Sequence, residues 1–157
     1  MSVSKIRSWA VLAVCLTVMT VSQLSIAQED SGKASSLYDR LGGLAPITVV
    51  VSDFIDVLVP DAILNANPAI DEARKRVPAP YLKYHVTAMV CQASGGPCVY
   101  QGRDMKTAHA HLHITESEWE RMVALFKEVL AKHAVPAQET RELLVIVGSL
   151  KAVIVTA

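Results

Sequence analysis

The sequence has no excess of charge of either sign, because its 15 lysine and arginine residues balance its 15 aspartate and glutamate residues. Neither a basic surface for nucleic acid nor an acidic, solvating tail is therefore expected. Proline and glycine are scarce, at seven each, whereas 52% of the 157 residues are hydrophobic. A chain of this length and composition is expected to form one globular domain with a single core.

The sequence also lacks a hydrophobic run of the length that a membrane span needs. The apolar stretch 9–21 is shorter than the roughly 20 residues required for a span. It follows a basic start with Lys5 and Arg7 and precedes Ser-Ile-Ala at 25–27 and the polar Gln28, a pattern typical of a secretory signal peptide. We expect residues 1–27 to be removed on export, giving a periplasmic or secreted protein without a stable membrane span. An uncleaved anchor is the alternative.

Cysteine is rare, and removal of residues 1–27 would leave only Cys91 and Cys98. These two residues flank a turn sequence, Ser-Gly-Gly-Pro, at 94–97. In an oxidising compartment such a pair is expected to form a disulfide. Two small buried thiols are the alternative interpretation.

Apolar residues at spacings of three and four predict an all-α fold for residues 36–157, after a flexible segment at 28–35. Pro46 suits a helix start and Pro60 a helix end, while Thr115 and Glu118 form a capping box that opens a long helix. Gly148 is a possible point of close approach between helices. The predicted helices cover 36–41, 46–59, 67–75, 81–93, 104–112, 115–133 and 136–154.

Five histidines are present, and His85 and His109 lie on predicted apolar helix faces. One histidine in such a place is usually a hydrogen-bonded core residue, but two on different helices also suit a metal centre in an apolar pocket. Zinc held by His109, His111 and His113 is a weaker alternative. His111 points away from the shared face, and the sequence has no His-Glu-x-x-His motif.

Three motifs together resemble the group I truncated haemoglobins. They are Leu-Tyr-Asp-Arg-Leu-Gly-Gly at 37–43, Gly-Gly-Pro at 95–97 and Tyr-x-Gly-Arg-x-Met-x-x-Ala-His at 100–109. The resemblance extends over about residues 36–157. It implies a two-over-two helical sandwich that binds haem b, which would be noncovalent here because no Cys-x-x-Cys-His motif is present.

The resemblance also implies which residues surround the haem. His109 aligns with the proximal ligand of the iron, and the haem would lie between its short helix and the helix that ends at Ala93. His85 aligns with a position that supplies a second axial histidine in some members. Ordinary core packing is the alternative for the other implied contacts, which are Leu82, Val86, Met105, Leu112, Trp119, Met122 and Phe126.

The chain departs from the family pattern on the distal side of the haem. Ile55 stands where a tyrosine is common, and Val86 stands where a glutamine is common. The position of the usual phenylalanine falls in an altered segment at 60–80, which carries extra residues. His85 and Tyr84 are then the polar side chains expected near a bound ligand.

The expected function is the binding of a diatomic gas, such as oxygen, nitric oxide or carbon monoxide, or redox chemistry at the haem iron. A haem enzyme with nitric oxide dioxygenase or peroxidase-like activity is an alternative. Such an enzyme would need an external electron donor or peroxide, because the sequence has no flavin or nicotinamide motif. A helical interaction module without haem is the third possibility.

Overall fold

The computed structural model describes residues 35–156. The predicted signal peptide, 1–27, and nearly all of the predicted flexible segment, 28–35, lie outside these residues. Within them, an isolated parallel bridge pairs Ile114 with Val155, and no helix is both long and apolar enough to cross a membrane. The predicted all-α fold is confirmed by the helices α1 (Leu37–Arg40), α2 (Leu44–Leu58), α3 (Ala62–Asn65), α4 (Pro68–Arg76), α5 (Ala79–Ala93), α6 (Met105–His109), α7 (Glu116–Lys132), α8 (Ala137–Gly148) and α9 (Lys151–Ile154).

Two glycines turn the chain between α1 and α2. Gly42 and Gly43 have φ angles of 87° and 85°, in the region that L side chains rarely adopt. α2 then starts at Leu44, two positions before the predicted start at Pro46. The apolar face predicted for this helix is confirmed, with four buried side chains at Ile47, Val51, Phe54 and Ile55.

The segment between α2 and α5 forms two short helices, where the sequence predicted one. Asp61 begins α3 by accepting a hydrogen bond of 3.0 Å from the backbone N–H of Leu64. Asn67 begins α4, the predicted helix, by accepting one of 2.9 Å from the N–H of Ala69. The prediction missed α3 because a single turn is too short to show a helical period of apolar residues.

The last predicted helix, 136–154, is interrupted: α8 ends at Gly148 and α9 begins at Lys151. The hydroxyl of Ser149 donates a hydrogen bond of 2.7 Å to the backbone oxygen of Ile146. Bonds of this kind compete with the helical ladder. A Cβ atom at Gly148 would have no neighbouring atom within 4 Å outside its own helix. The prediction of a close approach at this glycine was therefore wrong.

Two clusters of buried apolar side chains hold the helices together. The larger cluster lies between α2, α7 and α8, where the rings of Phe54 and Phe126 meet edge-on with centroids 5.1 Å apart. The smaller cluster joins α4, α7 and α9 through Ile70, Trp119 and Ile154. Each fully buried side chain of this size stabilises the fold by about 1.5–3 kcal/mol.

Candidate functional site

His109 is the last residue of α6, a helix that the side chain of Asp104 caps. Its Nδ1 atom lies 2.9 Å from the backbone oxygen of Met105. Because a carbonyl oxygen can only accept, Nδ1 carries the proton in the neutral ring and Nε2 keeps its lone pair. Burial lowers the pKa of His109, and the hydrogen bond to Met105 offsets only part of this shift. The ring is therefore neutral near pH 7, with Nε2 able to act as a metal ligand.

His85 lies in the middle of α5, among three tyrosine rings. The ring of Tyr81 is tilted against it, with centroids 4.2 Å apart. Tyr84 and Tyr100 meet it edge-on at 5.1 and 6.0 Å. Its Nδ1 atom is buried and has no hydrogen-bond partner among residues 35–156. Because such a group is costly to leave unpaired, His85 is a candidate ligand for a group that the polypeptide does not supply.

Four of the residues predicted to line a haem pocket pack together beside α6. Trp119 is buried at 6% exposure, and Met105, Leu112 and Met122 pack against its cluster. No residue of α6 itself is fully buried. The helix that carries His109 therefore keeps partly uncovered apolar surface.

The other predicted pocket residues belong to the larger cluster. Phe126 is buried there, and Leu82 and Val86 on α5 are partly buried against it. Met122 packs against both clusters and so connects the two groups. Within α5, Cys91 is the only fully buried residue. The apolar face of this helix is thus covered only in part, as is that of α6.

The two distal positions at which the resemblance leads one to expect hydrogen-bond donors carry aliphatic side chains. Ile55 is 1% exposed, in the core of the protein, and Val86 is partly buried. Tyr84, which the sequence suggested as a distal polar group, is 65% exposed and lies at the surface. His85 is the remaining polar candidate from the sequence analysis.

The other three histidines do not join this site through any bond in the structure. His111 and His113 are exposed, and His133 places its Nε2 atom 2.8 Å from Oδ2 of Asp53. The described part of the chain contains no group of three His, Cys, Asp or Glu side chains that could hold a metal ion. The zinc alternative therefore has no support within residues 35–156.

A disulfide joins Cys91, near the end of α5, to Cys98 in the following loop, with 5.7 Å between the Cα atoms. The pairing expected from the sequence is thus present. The N–H of Gly96 donates a hydrogen bond of 2.8 Å back to the carbonyl of Cys91. A Cβ atom on Gly96 would lie 2.4 Å from the ring of Tyr38. This close approach explains why the loop needs a glycine at that point.

Two contacts near the site were not predicted from the sequence. Tyr100 belongs to the motif that ends at His109, but its packing against His85 was not predicted. Asn67 donates a hydrogen bond of 2.9 Å from Nδ2 to the backbone oxygen of Leu112, just after α6. Both contacts join residues that are far apart in the sequence, so no local pattern signals them.

Two concave regions of the described chain are lined mostly by other residues, and Phe126 is the one expected haem contact that they include. One is an apolar cavity whose walls include Ile47, Val90 and Leu143. The other is an open groove beside Asn67 and His113. Neither is lined by His85 or His109. The candidate site therefore consists of two imidazoles on separate helices, each beside a partly covered apolar helix face.

The chain is similar to known globins. The model of the family described as "Bacterial-like globin" matches residues 36–156. The group 1 truncated hemoglobin GlbN of Nostoc sp. (strain MUN 8820) is 28% identical over 120 residues, which cover 76% of this chain and 97% of the relative.

Solved structures with the same arrangement of helices include two hemoglobins. The truncated hemoglobin of Tetrahymena pyriformis, in its Fe(III) form, has a TM-score of 0.65 at 16% identity, covering 78% of this chain and 100% of that one. The 2/2 hemoglobin of Synechococcus sp. PCC 7002, in the cyanomet state and with covalently attached heme, has a TM-score of 0.61 at 24% identity, covering 74% and 94%. The predicted two-over-two fold is confirmed.

Proposed function

The chain belongs to the bacterial-like globin family, and from this premise we propose that it is an exported haem protein that binds a diatomic gas at the iron. Family membership supports haem-based ligand binding in general. The finer parts of the proposal are the proximal ligand, His109, and a noncovalent haem b. These parts rest on the residues of this chain.

The observation that carries the proposal is the hydrogen bond between Nδ1 of His109 and the backbone oxygen of Met105, at 2.9 Å. This bond directs the proton to Nδ1, leaves Nε2 free to bind iron and limits rotation of the ring. A carbonyl acceptor on the second nitrogen also raises the basicity of a metal-bound imidazole. The lowered pKa of His109 favours the neutral form that a metal requires.

The surroundings of both histidines also fit a large apolar group. The helices that carry them, α5 and α6, present apolar side chains that the protein covers only in part. Met105, Leu112 and Trp119 would contact haem from the side of α6. Leu82 and Val86 would contact it from α5. Met122 and Phe126, on α7, complete the set of expected contacts.

Bound haem supplies an iron atom that can take a gas molecule as a ligand and can change its oxidation state. The side chains of this protein set the polarity around that position. Ile55 and Val86 cannot donate a hydrogen bond to a gas molecule. Any polar interaction on this side therefore depends on His85.

We also propose that His85 binds the iron when no gas is present. Its buried Nδ1 atom lacks a partner within the described residues, and iron bound at this atom would supply one. A gas molecule would then compete with His85. The apparent affinity for the gas is reduced in proportion to the fraction of molecules in which the position is open.

Haem titration of the purified protein tests the proximal assignment. We expect one haem per chain in the unmodified protein and no stoichiometric binding in His109→Ala, because the strong protein bond to iron is lost. His111→Ala is the matched control, since this exposed histidine lies two positions further along the chain. Full haem occupancy with an unchanged ferrous spectrum in His109→Ala would overturn the assignment.

The export part of the proposal rests on the signal-like pattern at residues 1–27. Expression of the full chain in a bacterium with a periplasm, followed by intact-mass measurement, tests it. We expect a periplasmic protein that begins at Gln28. Uncleaved protein in the membrane fraction would instead identify residues 1–27 as an anchor.

A further inference from the structure

We propose that Tyr100 is a positioning residue for His85 and that the Cys91–Cys98 disulfide holds Tyr100 in place. Reduction of the disulfide would release the loop and lower the fraction of molecules in which His85 binds the iron. The inference rests on the proposed haem function and deepens it, because it makes the candidate site sensitive to a thiol reductant.

Three interactions fix Tyr100 over α5. Its backbone N–H donates a hydrogen bond of 2.6 Å to Oε1 of Gln92, at the end of that helix. Its hydroxyl donates one of 2.8 Å to the backbone oxygen of Arg103. The edge-on contact with His85, at 6.0 Å between centroids, is the third. Tyr100 thus forms one side of the aromatic group around His85.

The disulfide is the covalent part of this arrangement. Cys91 is 0% exposed and lies on α5, the helix that carries His85. Cys98 lies in the loop shortly before Tyr100. The bond between them sets the distance from α5 at which the loop begins. Without it, the exposed hydrogen bond from the N–H of Tyr100 to Gln92 and the bond from the N–H of Gly96 to the carbonyl of Cys91 are left to hold the loop against α5.

A dithiol is the class of reductant that would open the bond. Its thiolate attacks the sulfur of Cys98, the partly exposed partner, and the Cys91 sulfur leaves as a thiolate that takes up a proton. The second thiol of the reagent attacks the mixed disulfide and releases Cys98 as a thiol. The reagent supplies two electrons and becomes a cyclic disulfide, while the protein gains two thiols.

The expected direction follows from the loss of order around His85. Holding one side chain in a single rotamer costs conformational entropy. Releasing that side chain therefore changes the equilibrium constant for a contact that depends on it by about two- to tenfold. Because Tyr100 restricts the ring of His85, an open disulfide should lower the equilibrium constant for binding of His85 to the iron by about this factor. Carbon monoxide should bind correspondingly faster.

The test compares the haem-loaded unmodified protein with Cys98→Ser, Tyr100→Phe and Val99→Ala. Ferric and ferrous absorption spectra report the coordination state, and flow kinetics report the rate of carbon monoxide binding. Cys98→Ser and Tyr100→Phe should both increase the high-spin fraction and the rate. Val99→Ala changes a side chain in the same loop that is 70% exposed, and should behave like the unmodified protein.

Two further comparisons test whether the disulfide acts through Tyr100 and His85. In Cys98→Ser, adding Tyr100→Phe should have little additional effect, because both substitutions loosen the same ring of Tyr100 against His85. In His85→Ala, Cys98→Ser should have no effect on the rate. Dithiol treatment of the unmodified protein, with thiols counted by mass spectrometry, repeats the comparison without a substitution.

The outcomes distinguish this inference from the proposed haem function on which it rests. If His85 binds the iron but its bound fraction is the same before and after full reduction, the inference is wrong and the haem function stands. If His85→Ala leaves the spectra unchanged, the coordination proposal fails and the inference fails with it. If the unmodified protein binds no haem, the proposed function itself is wrong.

Discussion

The side-chain amide of Asn67 donates a hydrogen bond of 2.9 Å to the backbone oxygen of Leu112. Asn67 begins α4, in the altered segment at 60–80, and Leu112 follows α6, the helix that ends at His109. Ile70 on the same short helix packs in a cluster with Trp119. The altered segment is therefore attached to the part of the chain that carries the candidate iron ligand.

Substitution of Asn67 should separate its two roles. Asn67→Ala removes both the cap of α4 and the bond to Leu112, and should lower the free energy of unfolding by about 1–2 kcal/mol. Asn67→Ser keeps a good capping oxygen but is too short to reach Leu112, so we expect a smaller loss. Urea denaturation measures both values. Equal losses in the two variants would show that the cap contributes nothing.

His85→Ala should convert the spectrum of the ligand-free, haem-loaded protein from low-spin and six-coordinate to high-spin. It should also speed carbon monoxide binding, because an internal competitor is removed. Tyr84→Phe is the control, since Tyr84 contacts His85 but is mostly exposed. A ferrous unmodified protein that is already five-coordinate and high-spin would contradict the coordination proposal for that oxidation state.

Acid should weaken the fold through Asp61. Arg121 places Nε and Nη2 at 3.0 and 2.8 Å from Oδ2 of Asp61, and these bonds hold the pKa of that carboxyl below its usual value. A carboxyl whose pKa is lower in the folded state than in the unfolded state makes its full contribution to stability at pH values above the unfolded pKa, near 3.9. This contribution is lost as the pH falls through the lower, folded value.

Urea denaturation of the unmodified protein and of Asp61→Asn, at several pH values between 7 and 2.5, tests this expected loss of stability. Asparagine keeps an oxygen for the N–H of Leu64, so the variant mainly removes the charge. We expect it to be less stable at pH 7 by about 1.5–3 kcal/mol, the range for a hydrogen bond to a charged group. The difference should shrink below about pH 4. A difference that does not change with pH would argue against the ion pair as its source.

Two glycine-to-alanine substitutions should act in opposite directions. In Gly96→Ala the new Cβ would lie 2.4 Å from the ring of Tyr38 and 2.8 Å from the backbone oxygen of Cys91. We expect a loss of about 1–3 kcal/mol from this overpacking. In Gly148→Ala the space is open, and the end of α8 should gain up to about 0.5 kcal/mol. Thermal unfolding checks both, and a neutral Gly96→Ala would contradict the close packing of this loop.

Local sequence patterns were enough to predict most of the helices. α2, α5 and α7 are long enough to repeat an apolar face several times, and Thr115 and Glu118 form the capping box that the sequence indicated. α3 and the break at Ser149 were missed, because a single turn and one hydroxyl bond leave no periodic signal. Helix starts also shifted by a few positions, as at Leu44, where α2 begins directly after Gly43, whose φ is positive, rather than at Pro46.

What the sequence determined about the candidate site is its chemical content: an imidazole on each of two apolar helices and a pair of cysteines beside them. Which side chains from separate elements meet depends on the tertiary structure. It places Tyr100 against His85 and leaves Tyr84 at the surface, whereas the bond from Nδ1 of His109 to Met105 lies within a single helical turn. The side-chain contacts between Tyr100 and His85 and between Asn67 and Leu112 depend on how separate elements pack, and a spacing of three or four residues carries no information about that packing.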